Sequence, residues 1–140
     1  MSLIISLNDI SMEVVILLGS TKDEEHAKKI SDGLTAANIA NSTHVASAHR
    51  EAKKLMEIIA QFDDKKVIYV TIAGRSNALS GFVAGNTKKV TIACPPFSDK
   101  LDMIVNIHST LQMPSNVPAM AILEPSNVVL AIQRIIELVS

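Results

Sequence analysis

The chain has 140 residues, 48% of them hydrophobic but only 3% aromatic, with no Trp and a single Cys; 13 basic residues against 14 acidic ones leave a net charge of −1. That length suits one domain with a proper core rather than two, and the near-neutral balance excludes the basic footprint of a nucleic-acid binder or of a protein held on an anionic membrane. Cys94 alone excludes an internal disulfide or a multi-cysteine metal site and fits a reducing compartment. Together with apolar runs far below membrane-spanning length and a start lacking the features of a signal peptide, this leads us to expect a cytoplasmic protein.

Residues 1–11 show mixed polarity without a period and read as an N-terminal extension, leaving 12–140 as the single domain. Residues 14–18 form a continuous apolar run ending at Gly19, the pattern of a strand buried on both faces. Ser20-Thr21-Lys22-Asp23 then opens a helix, with Ser20 as N-cap and Asp23 completing a variant capping box. Ala27, Ile30, Leu34 and Ala37 give that helix one apolar stripe, and Asn38 ends it. A second strand over 42–46 leads into Ser47-Ala48-His49-Arg50, followed by a helix with Ala52, Leu55, Met56, Ile59 and Ala60 on one face.

Residues 67–72 read as a third strand by their β-branched content. They run into Ala73-Gly74-Arg75-Ser76-Asn77, then a short helical piece broken by Gly81 and Gly85, and a fourth strand over 90–94 that Pro95-Pro96 stops. Residues 101–111 predict a helix whose apolar side is Leu101, Ile104, Val105 and Leu111; 119–123 predict a fifth strand. Residues 125–139 predict a last helix with Pro125 in its first turn, apolar almost all round and so expected to be covered by another subunit. Five strand–helix alternations imply a parallel sheet with helices on both faces, a three-layer α/β/α sandwich.

In such a sheet ligands bind beyond the carboxyl ends of the strands. The loops leaving the first four strands are Gly-Ser-Thr-Lys-Asp, Ser-Ala-His-Arg, Ala-Gly-Arg-Ser-Asn and Cys-Pro-Pro-Phe, so polar and glycine-rich residues converge on one edge. Ser20 with Asp23 is most simply a helix cap, a role compatible with holding a phosphate on the hydroxyl and sugar hydroxyls on the carboxylate. His49 stands beside Ser47 and Arg50 at a strand's carboxyl edge, where the cation can anchor phosphate and the imidazole can move a proton near neutral pH. His26, His44 and His108 have no such neighbours in sequence and read as structural. Arg75 is either a second anion contact or a surface ion-pair partner, and Gly74 would let backbone approach a ligand. Neither a dinucleotide fingerprint nor a P-loop follows Gly19, and no spacing suggests a zinc site or a Ser-His-Asp triad. A receiver-type signalling domain needs an aspartate at a strand end where this chain has Ala73-Gly74.

Gly19-Ser20-Thr21-Lys22-Asp23, Ser47-Ala48-His49-Arg50, Ala73-Gly74-Arg75-Ser76-Asn77 and Gln112-Met113-Pro114, in that order and spacing, resemble the aminoimidazole ribonucleotide carboxylase family, PurE. The resemblance runs from Glu13 to Ile136. It implies a flavodoxin-like five-stranded parallel sheet, a homo-octamer with sites built by neighbouring subunits, and carboxylation of aminoimidazole ribonucleotide without metal or organic cofactor. By matching position it implies that Ser20, Ser47 and Arg50 hold the phosphate, Asp23 the ribose, and that His49 removes the ring proton. Gly19, Ala48, Gly74, Arg75, Ser76 and Asn77 complete the expected substrate site. The Arg75-Ser76-Asn77 loop and Cys94-Pro95-Pro96 resemble the branch that uses carbon dioxide directly. The mutase branch, which moves a carboxylate from the exocyclic amine, has a second histidine in that loop, and here none lies between His49 and His108. Arg50 and Gln112-Met113-Pro114 are closer to the mutase branch, and Lys22 stands where a small hydroxyl residue is usual.

Overall fold

The computed structural model describes residues 11–140, so the expected N-terminal extension lies outside the described residues except for Ser11, which precedes the first strand. In chain order the elements are β1 (Glu13–Leu18), α1 (Glu24–Ala36), β2 (Asn41–Val45), α2 (Ala52–Gln61), β3 (Val67–Ile72), α3 (Ala78–Gly85), β4 (Thr91–Ala93), α4 (Lys100–Leu111), β5 (Ala119–Ala121) and α5 (Pro125–Val139). All strand pairs are parallel and the sheet order is β2-β1-β3-β4-β5. The direction of winding reverses between β1 and β3, so the crevice at their carboxyl ends is the topological switch point.

The continuous apolar run of β1 is divided by the pleat between two cores. Val14, Ile16 and Leu18 face α1 and α5, where Ile30, Leu34, Val128 and Ile132 are buried. Val15 and Leu17 face the other layer with Leu55, Ile59, Leu79 and Val83 of α2 and α3. Each such aliphatic side chain contributes about 1.5–3 kcal/mol by leaving water, so β1 is fixed from both faces. The architecture is the three-layer flavodoxin-like sandwich.

The end of α1 shows how locally the sequence acts. Asn38 takes a left-handed backbone with φ 60°, its N–H donating to the Thr35 carbonyl while the Ile39 N–H donates to that of Leu34. This is a Schellman motif, closed by apolar Ile39 and Leu34, both buried. Asn tolerates the left-handed turn that a branched residue would not. Further up the same helix, a Cβ on Gly33 would lie 2.9 Å from Val129 Cγ2. The missing side chain is what lets α5 sit directly on α1.

Several local expectations are corrected. The Asp23 N–H donates to the Ser20 carbonyl and Ser20 Oγ accepts from the Lys22 N–H, so the pair closes a single 3-10 turn, Thr21–Asp23, rather than a capping box. The buried stripe of α2 is Leu55, Ile58 and Ile59, whereas Met56 is exposed. Gly81 does not break α3: the helix runs through it, because the position faces Met113, whose Sδ would be 2.9 Å from an added Cβ. β4 and β5 are three residues each, shorter than their apolar runs. In α5, Val128, Val129 and Ile132 are taken up by the chain's own core, leaving Leu130, Leu138 and Val139 exposed. The largest departure is α4, whose buried residues are Asn106 and Thr110, while Leu101, Ile104, Val105 and Leu111 are all exposed.

Candidate functional site

Three loops meet beyond the carboxyl ends of β1, β2 and β3. The first, after β1, is anchored by the Gly19 N–H donating to the Ile72 carbonyl. A Cβ on Gly19 would press on the Ala73 Cβ at 3.2 Å. Ser20 Oγ accepts from Lys22 N–H at 3.3 Å, which leaves the hydroxyl proton free to donate. Asp23 is half-buried, and burial raises its carboxyl above the ordinary value against the opposing pull of His26 and Lys22. A partly desolvated carboxylate of this kind gains from neutral O–H donors.

The second loop is a turn closed on Ser47. The Glu51 N–H donates to the Ser47 carbonyl at 2.8 Å, the Arg50 N–H donates to Ser47 Oγ at 3.2 Å, and the Ser47 N–H donates to Glu51 Oε1 at 3.4 Å. Ser47 is buried, whereas His49 and Arg50 project from the turn as exposed side chains. The hydroxyl of Ser47, acting as acceptor to backbone, keeps its own proton for a ligand. Sequence reading missed Glu51, whose place four residues after Ser47 is the only signal of its part in the turn.

Among the described residues, the third loop has two of the four left-handed non-glycine positions. Arg75 and Asn77 both lie in the left-handed region, with φ 56° and 41°, a conformation that costs a side-chain-bearing residue roughly 1–2 kcal/mol. No glycine is left-handed among the described residues, and a Cβ on Gly74 would meet only Asn106 Nδ2 at 3.7 Å. The loop is therefore not shaped by a left-handed glycine. It is held from α4: the Arg75 N–H donates to Asn106 Oδ1 at 2.6 Å, and Asn77 Nδ2 donates to Thr110 Oγ1 at 2.7 Å and to the Asn106 carbonyl at 3.3 Å.

All eleven residues expected from sequence line one cavity of about 370 Å³: Gly19, Ser20, Asp23, Ser47, Ala48, His49, Arg50, Gly74, Arg75, Ser76 and Asn77. Lys22, Ala73, Ala78 and Leu79 complete its wall. Three cations, Lys22, Arg50 and Arg75, stand there against one carboxylate, Asp23, which favours an anionic ligand. A wider groove of about 960 Å³ adjoins it across Gly74, Arg75 and Ser76 and is lined on its far side by Phe97, His108 and Gln112.

Of the remaining histidines, His108 is exposed on the wall of the wider groove with its Nε2 3.0 Å from Gln112 Nε2, while His44 and His26 have structural partners. His44 packs edge-on against Phe62 with ring centroids 5.8 Å apart. His26 Nε2 lies 3.1 Å from the Cys94 carbonyl, so that nitrogen carries the proton and donates. Burial lowers the value of His26, the hydrogen bond to Cys94 opposing it. Burial also pushes the Cys94 thiol up to about 12, so it stays protonated near neutral pH. Among the described residues no group of three His, Cys, Asp or Glu side chains is placed to hold a metal ion, and no helix is long and apolar enough to cross a membrane.

Fold and cavity together define a doubly wound α/β protein with a cation-rich cavity at its switch point. The chain belongs to the AIR carboxylase family, whose model matches residues 13–139. It is 45% identical over 127 residues to a phosphoribosylaminoimidazole carboxylase of Archaeoglobus fulgidus, covering 91% of this chain and 70% of the relative. Against the enzyme of the same name from Treponema denticola it is 43% identical, covering 89% and 79%. The crystal structure of Treponema denticola PurE superposes with a TM-score of 0.85 at 42% identity, covering 92% of this chain and 82% of that one.

Proposed function

We propose that this chain is a phosphoribosylaminoimidazole carboxylase of purine biosynthesis, with residues 12–140 as its single catalytic domain, and that it adds carbon dioxide directly to the ring carbon of aminoimidazole ribonucleotide. The observation that carries this reading is the meeting of Ser20 and Asp23, Ser47, His49 and Arg50, and Gly74 to Asn77 around one cavity. Ser20, Ser47 and Arg50 bind the phosphate by two hydroxyl donors and a cation, and the half-buried carboxylate of Asp23 accepts from the ribose hydroxyls. The ring carbon is enamine-like and attacks carbon dioxide itself, so the reaction draws on no metal or organic cofactor. The new carbon–carbon bond leaves that ring carbon tetrahedral, still bearing its hydrogen. His49 takes this proton, the C–H electron pair returns to the ring, and aromaticity is restored. Arg75 and Ser76 face the incoming carboxylate from the third loop, with Gly19, Ala48, Gly74 and Asn77 shaping the walls.

Leu101, Ile104 and Val105, exposed on α4, support assembly with further copies of the chain, in the family's octameric form, and the fold and near-neutral charge suit a cytoplasmic enzyme. His49 is exposed in the single chain, so a neighbouring copy would supply the exclusion of water that proton transfer and carbon dioxide capture need.

The test mixes pure protein with aminoimidazole ribonucleotide and bicarbonate, without ATP, and follows the ring-carboxylated nucleotide. Product is expected with the native chain, and His49→Asn is expected to lower turnover by at least about 100-fold. Product formed only from the amine-carboxylated nucleotide would identify a mutase instead, the reading favoured by Arg50 and Gln112-Met113-Pro114. Binding without product from either nucleotide would identify a non-catalytic nucleotide-binding module.

A further inference from the structure

We infer that Asn106, on α4 and outside the catalytic cavity, is a positioning residue that holds the third site loop in its working shape. Its side chain is 3% exposed and both ends of the amide are committed. Oδ1 accepts from the Arg75 N–H at 2.6 Å, and Nδ2 donates to the Pro96 carbonyl at 2.7 Å. Because one partner can only donate and the other only accept, the orientation of the amide is determined. One side chain therefore ties the loop after β3 to the loop after β4.

The same helix grips the loop a second time. Asn77 Nδ2 donates to Thr110 Oγ1 and to the Asn106 carbonyl, and Thr110 Oγ1 is 2.9 Å from Ser80 Oγ in the first turn of α3. Asn77, Ser80, Asn106 and Thr110 are all buried, so these bonds are made away from competing water. Between the two grips lie Arg75 and Ser76, exposed toward the cavity, with left-handed backbone at 75 and 77. Such a backbone persists only where its surroundings over-determine it, and Asn106 and Thr110 are those surroundings. An apolar residue at 106 would pack there but would leave the Arg75 N–H and the Pro96 carbonyl unpaired, and the loop would relax to right-handed or extended backbone.

The functional consequence rests on the carboxylase reading, in which the first two loops bind the nucleotide and the third meets the carbon dioxide. Asn106 then governs the second substrate and not the first. The measurements use the full chain carrying Asn106→Ala or Asn106→Asp; the aspartate keeps an acceptor for the Arg75 N–H but turns a second acceptor oxygen, and a buried charge, toward the Pro96 carbonyl that Nδ2 met at 2.7 Å. Asn106→Ala is expected to raise the bicarbonate concentration for half-maximal rate by about tenfold or more while the nucleotide KM stays within about twofold. Asn106→Asp, which restores the acceptor alone, is expected to recover part of the loss. In parallel, amide hydrogen exchange at Arg75 to Asn77 should quicken by about tenfold in Asn106→Ala and by less in Asn106→Asp. Thr110→Val, which removes the acceptor for Asn77 at equal volume, gives the same pair of readouts should Asn106→Ala fail to fold. Unchanged exchange at 75–77, or a rise in nucleotide KM equal to that for bicarbonate with no recovery in Asn106→Asp, overturns the assignment. If the native chain makes no product, the carboxylase reading fails, and the exchange measurement still decides whether Asn106 holds the loop.

Discussion

Helices α2 and α4 lie over different parts of the sheet, α2 on β1 and β3 and α4 beside β5 and α3, and are held to the protein by opposite means. α2 buries Leu55, Ile58 and Ile59 and turns Lys53, Lys54 and Glu57 outward. α4 buries Asn106 and Thr110 and turns Leu101, Ile104, Val105 and Leu111 outward. The first is attached by non-directional area, which tolerates small shifts; the second by hydrogen bonds whose geometry is fixed to a few tenths of an ångström. A helix fastened in the second way transmits its position to whatever it bonds, here the Arg75 loop, and has apolar surface left to offer another copy of the chain.

The contrast can be broken at either helix. Leu55→Ala should cost about 3 kcal/mol in urea unfolding through the cavity it leaves, while activity per folded molecule is retained. Ile104→Lys on α4 should leave unfolding within about 0.5 kcal/mol of native and instead lower the assembled mass seen by light scattering. An Ile104→Lys chain that unfolds as easily as Leu55→Ala would show that α4 is held by its apolar side after all. Two glycines sharpen the comparison at smaller amplitude. Gly33→Ala drives a Cβ against the buried Val129 and should destabilise by about 1–2 kcal/mol. Gly81→Ala pushes only on the flexible end of Met113, and the helix-propensity gain of about 1 kcal/mol should offset that, leaving thermal stability near native.

The smallest effect concerns pH. His26 is held below its ordinary value of 6.5, so the unfolded chain takes up a proton before the folded one does. Stability from this group is complete above that value and is lost as pH falls from 6.5 toward the folded value. Asp23, raised above 3.8 by burial, acts in the opposite sense, gaining stability on acidification. Comparing His26→Gln with the native chain between pH 7 and 5 isolates the histidine: the variant should show the flatter decline in melting temperature. An identical decline in both would remove His26 as a source of it.

Much of this molecule can be read before any coordinates. β3 and α5 fall where β-branched content and the Pro125 start place them, and the expected site residues converge because loops at strand ends must lie on one edge of a parallel sheet. What could not be read is which face of α4 is buried, although its span, Lys100–Leu111, falls where expected. Hydrophobic periodicity assumes that the apolar side faces inward, and Leu101, Ile104 and Val105 satisfy the pattern while pointing out. The alternative signal, Asn106 and Thr110 four residues apart on one helix face, becomes meaningful only when the Arg75 loop is seen to need hydrogen-bond partners. Glu51 and Asn106 were missed for the same reason: each acts on backbone N–H groups whose orientation the sequence does not display.

Tyr69 is the only tyrosine in a chain without tryptophan. It lies fully buried in the centre of β3, and its hydroxyl donates to the Ile59 carbonyl of α2 at 3.4 Å. Its ultraviolet emission therefore comes from a single known depth in the protein, under the helix held by apolar contact and away from the one held by hydrogen bonds. The protein carries its own optical gauge of docking between α2 and the sheet, requiring no label.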